Sequence, residues 1–316
     1  MDKKKKDEKF IGQLSGEELF LVEANLAKYE GVDRMVSSLD LAIELDKTED
    51  SSFIVPTGIP SLDSLHEGGI EAGEVWIFSG PSGEGKTTLT MTMTQNMAEA
   101  GIKTAWFTLE VTPRQFIKKM KARANNVPLF YLPNENKDPV VSWIEERIVE
   151  AKVKYDCKVV FIDHLQQIFS MARMENPNGN LSWEIGDLMA KIKSIATMHD
   201  IAVVLIAHTK DDPSGSSREP RKEDIRDSGL VQRLADSIIM IWRVPDDDEL
   251  KNSRRKIIES GDAKAKVRIV KNRRTGTLGT WFMLHKDHYL EEIGNSNKKT
   301  NYGTARPSHE DDDTNW

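Results

Sequence analysis

A glycine-rich turn between an apolar strand and a helix constrains this chain more than any other stretch. Residues 75–78 read Val-Trp-Ile-Phe, and residues 80–87 read Gly-Pro-Ser-Gly-Glu-Gly-Lys-Thr before a helix-compatible segment. This is the G-x-x-x-x-G-K-[ST] spacing in its required strand–loop–helix context. The glycines let backbone N–H groups ring a polyphosphate, and the helix points its positive end at the same place. The pattern predicts a nucleoside triphosphate site rather than a chance turn.

The side chains of this loop have separate predicted roles. Lys86 supplies a mobile cation for the β- and γ-phosphates, and the Thr87 hydroxyl can ligate Mg²⁺. The expected cofactors are therefore ATP, or another nucleoside triphosphate, and Mg²⁺. The predicted phosphate-binding residues are Gly80, Ser82, Gly83, Glu84, Gly85, Lys86, Thr87 and Thr88.

Three more polar residues follow apolar strand-like runs. Asp163 ends the run at residues 159–162, a position that in phosphate-loop proteins lies beside Mg²⁺. Glu110 follows the run at residues 104–109 and could polarise the attacking water, although a solvated glutamate would look the same. His208 ends the run at residues 201–206 and could hydrogen-bond a γ-phosphate, although most histidines at strand ends do nothing of the kind.

A basic cluster, Lys-Asn-Arg-Arg-Thr-Gly at residues 271–276, stands at the end of another predicted strand. The simple interpretation is a solvated hairpin. The sharper hypothesis is that one arginine crosses a subunit boundary and neutralises transition-state charge on a neighbour's γ-phosphate.

Composition narrows the class of protein. The 316 residues include 38% hydrophobic and 30% charged residues, with a net charge of −7. The charge is uneven, because residues 251–286 carry eleven Lys or Arg against two acidic residues, so local contact with phosphates is still allowed. The single cysteine excludes an intrachain disulfide. His285 and His288 have no cysteine partners, so no zinc is expected. We expect a soluble, cytoplasmic protein without a membrane span.

Strand and helix patterns alternate after the phosphate loop, and a β meander follows near the C-terminus. This order predicts an α/β domain with a mostly parallel central sheet. A capping box at Ser15 and Glu18 predicts a helix in a short N-terminal extension. The predicted segments are a disordered basic N-terminus (1–14), a helical extension that could dock on a neighbouring subunit (15–50), the ATPase domain (51–293) and a disordered acidic tail (294–316).

Seven strings in order resemble the ATPase domain of DnaB-like replicative hexameric helicases, nearest to the phage and mitochondrial primase-helicase branch. They are PTGIPSLDSL, GPSGEGKTTL, AWFTLEVTP, VVFIDHLQQI, VVLIAHTKDD, IRDSGLVQRLADSIIMIWR and VRIVKNRRTGTLG. The resemblance covers residues 54–292 and implies a RecA-like phosphate-loop fold. It further implies Glu110 as the catalytic glutamate, Asp163 as the magnesium aspartate and His208 as the γ-phosphate sensor. Arg273 matches the arginine finger, with Lys271 as its companion. Arg233 departs from the pattern, since the family often has Gln there.

The resemblance also implies partners. A homo-hexameric ring would translocate on single-stranded DNA, gripping it with loops after Asp163 and after His208. The side chains in these loops that could donate hydrogen bonds to the DNA phosphates are Arg173, Lys210, Arg218, Arg221 and Lys222. The N-terminal helix or the acidic tail ending in Trp316 could dock on a primase or a DNA polymerase.

Two other functions stay open from the sequence. A RecA-like recombinase or a KaiC-like regulatory ATPase would share the phosphate loop, the glutamate and the aspartate strand. The non-motor alternative is a loader or inhibitor built on a degenerate ATPase. The presence of every expected catalytic residue argues against that alternative.

Overall fold

A computed structural model describes residues 15–31, 34–47, 53–121, 127–135, 141–168, 181–210, 219–225, 228–244, 264–286 and 289–293. The chain divides into two compact units, Met1–Ser51 and Ser52–Trp316. The predicted disordered ends, residues 1–14 and 294–316, lie outside the described residues. No helix among those described is long and apolar enough to cross a membrane.

The smaller unit contributes two helices, α1 (Gly16–Leu26) and α2 (Ser38–Lys47). The predicted capping box is confirmed, because the Ser15 hydroxyl accepts from the Glu18 amide and the Glu18 carboxylate accepts from the Ser15 amide. No residue of α1 is buried. Capping therefore stabilises the first turn without help from a packed core.

The larger unit alternates strands and helices, as predicted. Its strands are β1 (Ile54–Val55), β2 (Ile70–Glu71), β3 (Val75–Gly80), β4 (Thr104–Thr108), β5 (Val159–Asp163), β6 (Ala202–His208), β7 (Ser237–Arg243), β8 (Lys264–Asn272), β9 (Gly279–Lys286) and β10 (Tyr289–Glu292). Its helices are α3 (Pro60–Leu65), α4 (Lys86–Glu99), α5 (Pro113–Lys121), α6 (Val141–Tyr155), α7 (Leu181–Met198) and α8 (Ser228–Leu234).

Eight strands form the main sheet in the order β10-β9-β8-β7-β3-β6-β5-β4. The five strands from β7 to β4 are mutually parallel, and β8, β9 and β10 continue the sheet antiparallel. This confirms both the mostly parallel sheet and the terminal β meander. Because parallel strands place their carboxyl ends along one edge, the segments that follow β3, β4, β5 and β6 meet there.

Both faces of the sheet are covered, which explains why the central strands are continuously apolar. Val75 and Ile77 face a core built with α6, α7 and α8. Trp76 and Phe78 face the opposite core, which contains side chains of α3, α4 and α5. All four side chains are fully buried. The central strand that carries the phosphate loop is thus held from both sides.

Two small elements were missed by the sequence patterns. The two strands of the small sheet, β1 and β2, are each only two residues long. Helix α8 contains Gly229 and spans only seven residues, so its apolar period is too short to read. It ends just before Ala235, and β7 then begins at Ser237.

Candidate active site

The phosphate loop lies between the end of β3 and the start of α4, as the sequence predicts. Gly83 and Gly85 both have positive φ, 79° and 104°, which side chains other than glycine rarely adopt. Gly80 is needed for a different reason, since a Cβ there would lie 2.0 Å from the Ile241 carbonyl oxygen of the neighbouring strand. The glycines therefore allow the loop to close tightly over the sheet edge.

Lys86 is buried at the first position of α4, and its Nζ donates to the carbonyl oxygens of Gly80 (2.9 Å) and Pro81 (2.7 Å). Burial lowers the pKa of Lys86 to about 8, although the negative charges of Asp163, Glu84 and Glu110 oppose this. A polyphosphate would supply the charge partner that the carbonyls lack. The side chain is thus placed where an anion stabilises its protonated form.

Thr87 and Asp163 are brought together from distant parts of the chain. The Thr87 hydroxyl donates to Asp163 Oδ2 at 3.0 Å, and Asp163 is the last residue of β5. A hydroxyl and a carboxylate oxygen side by side are the hard oxygen ligands that Mg²⁺ prefers. The residues present therefore fit the predicted magnesium site.

One cavity of about 380 Å³ joins these groups. It is polar in its lining and includes both Glu110 and His208, so the predicted carboxylate and imidazole reach the same space as Lys86. The lining residues are Ser82, Gly83, Glu84, Gly85, Lys86, Thr87, Thr88, Glu110, Asp163, His208, Arg243, Ala265, His285 and Leu290. Arg243 and His285 are additions to the predicted set. Arg243 ends β7, the parallel neighbour of β3, and His285 lies in the antiparallel strand β9, so the approach of both depends on the strand order of the sheet.

Gln166 fixes the backbone of His208. The Gln166 Oε1 accepts from the His208 amide (3.2 Å), and its Nε2 donates to the His208 carbonyl oxygen (3.3 Å). Gln166 follows β5 and stands just before the segment that we predicted to contact DNA. The two strand ends β5 and β6 are therefore linked by a reciprocal amide pair, which the sequence alone did not reveal.

His164 is a further residue of this region that was not predicted. Its ring lies 4.6 Å from the His208 ring, centroid to centroid, at an interplanar angle of 88°. Burial lowers the pKa of His164, and the negative charge of Glu110 opposes this. The signal in the sequence is its position, directly after the carboxylate that ends β5.

Arg273 does not lie with Lys86. Asn272 pairs with Ser237 at the start of β7, and Ser237 pairs with Trp76 at the start of β3. Arg273 therefore stands at the edge of the sheet opposite to the phosphate loop, roughly 15–20 Å away by strand length. It donates to Asp236 Oδ1 (3.1 Å) and to the Arg233 carbonyl oxygen (2.6 Å).

Lys271 caps the end of α8. Its Nζ donates to the carbonyl oxygens of Gln232 (2.6 Å), Arg233 (3.2 Å) and Ala235 (2.6 Å). These carbonyls have no partner within a helix that ends here, and burial lowers the pKa of Lys271. The predicted companion of Arg273 is thus part of the surface from which Arg273 projects.

The predicted nucleic-acid contacts are only partly described. Lys210, Arg221 and Lys222 are exposed, whereas Arg173 and Arg218 lie outside the described residues. Thr209 and Ile225 form an antiparallel bridge, and the Lys210 amide donates to the Asp224 carbonyl oxygen at 2.6 Å. This closure brings both ends of the segment after His208 together at the sheet edge.

The fold and the site define a RecA-like phosphate-loop nucleotide-binding protein. The family model described as DnaB-like helicase C terminal domain matches residues 133–291, and an ATPase model described as KaiC matches residues 55–158. Because the first match covers half of the chain, this chain belongs to the DnaB-like helicase C-terminal domain family.

Individual relatives agree with this assignment. The chain is 23% identical over 294 residues to the replicative DNA helicase DnaB of Geobacillus stearothermophilus, covering 82% of this chain and 62% of that protein. It superposes on a solved, isolated ATPase domain with a TM-score of 0.61 at 19% identity, covering 81% of this chain and 99% of that one. For a DnaB-like replicative helicase studied with primase, the TM-score is 0.60 at 19% identity, covering 87% and 70%. The chain spans 55–62% of the length of three curated replicative helicases that it matches.

Proposed function

We propose that this chain is the ATP-driven motor of a replicative DNA helicase, which moves along single-stranded DNA as a ring and unwinds the duplex ahead. One observation carries the proposal. In a chain of the DnaB-like family, the phosphate loop, the Thr87–Asp163 pair and Glu110 line a single cavity. That arrangement holds each group that hydrolysis of a triphosphate requires from one subunit.

The residues act on ATP in distinct ways. The loop amides and Lys86 hold the β- and γ-phosphates. Thr87 and Asp163 would hold Mg²⁺, which when bound neutralises charge on the phosphate oxygens. Glu110 accepts a proton from, and orients, the attacking water. His208, held by Gln166, hydrogen-bonds the γ-phosphate and changes its partner when that phosphate leaves.

A neighbouring subunit completes the site. Arg273 is half-exposed and stands at the opposite edge of the sheet from its own phosphate loop, so it can reach only another chain's nucleotide. Head-to-tail contacts of this kind close into a ring when the rotation between subunits allows it. A homo-hexamer is the assembly that we propose.

The proposed DNA contacts lie at the same end of the strands as the proposed nucleotide site. Lys210, Arg221 and Lys222 stand next to His208 in sequence or across the Thr209–Ile225 bridge, and we assign Arg173 and Arg218 to the same function. Cations at these positions would follow the phosphate backbone, so binding should weaken with salt and show little preference for base sequence.

Unwinding of a forked duplex, together with ATPase activity with and without single-stranded DNA, tests the proposal. Lys86→Ala should abolish both activities. Glu110→Gln should keep nucleotide binding and lose roughly 10²–10⁴-fold in the rate of hydrolysis, the usual value of a general base. Glu146→Gln makes the same carboxylate-to-carboxamide change at an exposed position of α6. It is the matched control and should leave the ATPase and unwinding rates unchanged. A Lys86→Ala chain that still hydrolyses ATP on DNA would remove the site assignment.

A second function has one specific observation in its favour. The KaiC model matches residues 55–158, which include the phosphate loop and β4 and stop just before β5. A regulatory or recombinase-like ATPase would hydrolyse ATP without unwinding DNA. Electron microscopy separates the two, because closed rings support the helicase and open helical filaments support the alternative.

Further partners belong to the same proposal. We propose that the chain works in the cytoplasm beside a primase and a DNA polymerase, contacted through α1 or the acidic C-terminal segment. The acidic run His-Glu-Asp-Asp-Asp before Thr-Asn-Trp supports an electrostatic contact with a basic groove. Unchanged polymerase binding after deletion of residues 311–316 would contradict the role of the tail.

A further inference from the structure

Three side chains that can ligate a metal lie close together near the Thr87–Asp163 pair. They follow three adjacent strands of the sheet: Glu110 comes after β4, His164 after β5, and His208 ends β6. One ligand atom from each, a carboxylate oxygen and two imidazole nitrogens, lies within 4.8 Å of the other two. The two rings meet edge to face at 4.6 Å.

We propose that Glu110, His164 and His208 form a binding site for a divalent transition-metal ion such as Zn²⁺, Co²⁺ or Ni²⁺, and that the bound ion stops ATP hydrolysis. Two imidazoles and one carboxylate are ligands that suit these ions, whereas Mg²⁺ selects oxygen. The donor set therefore differs in kind from that of the Thr87–Asp163 pair.

The geometry needs only small side-chain rotations to close. Tetrahedral zinc at its usual bond lengths places ligand atoms about 3.4 Å apart, compared with the present limit of 4.8 Å. The Glu110 side chain is exposed and is free of a packed core that would hold its rotamer. Rotation of this side chain can bring its carboxylate closer to the two rings, which already contact each other.

A separate observation indicates a ligand at this place. The Nδ1 atom of His164 is shielded from solvent and has no hydrogen-bond partner in the structure. A shielded polar atom without a partner is destabilising, so such atoms in native proteins call for an explanation. An ion coordinated by Nδ1 would give this atom the partner that it lacks.

Inhibition follows from which groups the ion would occupy. Under the proposed function, Glu110 orients the attacking water and His208 contacts the γ-phosphate. An ion held by both removes the base and the sensor together while leaving Lys86 and the Thr87–Asp163 pair in place. The inhibitory part therefore rests on the proposed function, whereas the metal site itself does not.

Metal binding is tested on the full chain without nucleotide, in millimolar Mg²⁺ to saturate oxygen sites. Co²⁺ is followed by its visible absorption and Zn²⁺ by calorimetry. We expect one ion per chain with nitrogen ligation, and an affinity about tenfold weaker or worse in His164→Asn and in Glu110→Gln. His199→Asn, a histidine beside Glu145 on the α6–α7 side, should bind as the wild type does. Equal affinity in wild type and His164→Asn would overturn the site.

Two variants, His164→Asn and Glu110→Gln, keep the test decisive if one of them fails to fold. If thermal melting shows that His164→Asn is unfolded, Glu110→Gln carries the comparison, because its side chain is exposed. Unchanged metal affinity in a folded Glu110→Gln would then overturn the site.

Inhibition is measured separately as the ATPase rate against added Zn²⁺ in excess Mg²⁺. The wild type should be inhibited, with recovery on chelation, and His164→Asn should require about tenfold more Zn²⁺ for half inhibition of its own rate. Ion binding without inhibition would overturn the regulatory part. A chain with no ATPase activity at all would instead overturn the proposed function, while the binding titration would still decide the metal site.

Discussion

Arg273 and Lys86 lie at opposite ends of the strands of one sheet. The parallel pairing of β3 with β7 and the antiparallel pairing of β7 with β8 place Arg273 beside the start of β3, whereas Lys86 follows its end. A strand of six residues separates the two edges, and no side chain spans that length. If both residues serve one nucleotide, they must come from two chains.

Replacing Arg274 by alanine should lower the stability of the fold, whereas replacing its neighbour Arg273 should lower the ATPase rate. The Arg274 side chain is mostly buried, contacts the carboxylates of Glu71 and Glu74, and donates to the carbonyl oxygens of His66 and Gly69. Arg274→Ala should therefore destabilise the fold by about 3 kcal/mol, or about 6–10 °C in melting temperature.

Arg273→Ala should instead lower the ATPase rate about 10³-fold or more and shift the melting temperature by no more than about 3 °C. Asp236 would keep its partner Lys193 at 2.6 Å, which limits the loss of stability. Melting curves and ATPase rates of both variants check the pair. Normal turnover in a folded Arg273→Ala chain would refute the assignment.

Nucleotide affinity should fall at alkaline pH because of Lys86. Burial lowers the pKa of Lys86 to about 8 in the empty chain, and a bound polyphosphate favours the protonated form. Above pH 8 binding must take up a proton, so affinity should decline toward tenfold per pH unit, while it stays level below that pH. Titration of a fluorescent ATP analogue from pH 7 to 9.5 measures this.

Lys86→Arg is the matched control for that titration. A guanidinium stays protonated over the whole range, so the variant should bind more weakly but with a flatter pH dependence. A wild-type affinity that does not change between pH 8 and 9.5 would show that the lysine keeps its charge in the empty site.

Acid should destabilise the larger unit through His66. This side chain is fully buried between the Leu62 carbonyl oxygen (3.0 Å) and the Ser237 hydroxyl (2.8 Å) and packs on Trp76. Burial lowers the pKa of His66 from 6.5 to about 4. Since the unfolded chain takes up the proton first, the stability is complete above pH 6.5 and is lost toward pH 4, by up to about 1.4 kcal/mol per pH unit.

Urea unfolding between pH 7 and pH 4.5 checks the role of His66. His66→Gln should lower the free energy of unfolding at pH 7 and reduce its dependence on pH. His199→Gln, at a partly exposed histidine, is the matched control for the substitution itself and should cost less stability at pH 7 than His66→Gln. Identical pH slopes for wild type and His66→Gln would count against the burial argument.

Local sequence predicted which side chains lie close to the phosphate loop. Asp163, Glu110 and His208 each follow an apolar run, and the rule that parallel strands end at one edge brings them together. His164, Gln166 and Arg243 were not identified in this way. His164 directly follows Asp163, so its position was available from the sequence. The contact of Gln166 with His208 and the approach of Arg243, at the end of β7, depend on the strand order, which no spacing within a single segment encodes.

The position of Arg273 illustrates the same limit. Its sequence context indicated a strand end, but which edge of the sheet it occupies depends on the strand order and the register of β8 against β7. The family resemblance supplied a role for Arg273, whereas the register supplied the reason that this role requires a second chain. The domain boundaries at residues 50 and 293 remain predictions.

The shared active centre is tested most directly by mixing two inactive variants, Lys86→Ala and Arg273→Ala, and measuring DNA-stimulated ATPase activity after subunit exchange. Where an Arg273→Ala chain holds ATP beside a Lys86→Ala chain, the interface has an intact loop and an intact arginine. Random mixing in equal amounts makes about a quarter of the interfaces complete, so we predict that ATPase activity returns well above that of either variant alone. A mixture as inactive as its two components, with exchange verified, would contradict a site formed by two chains.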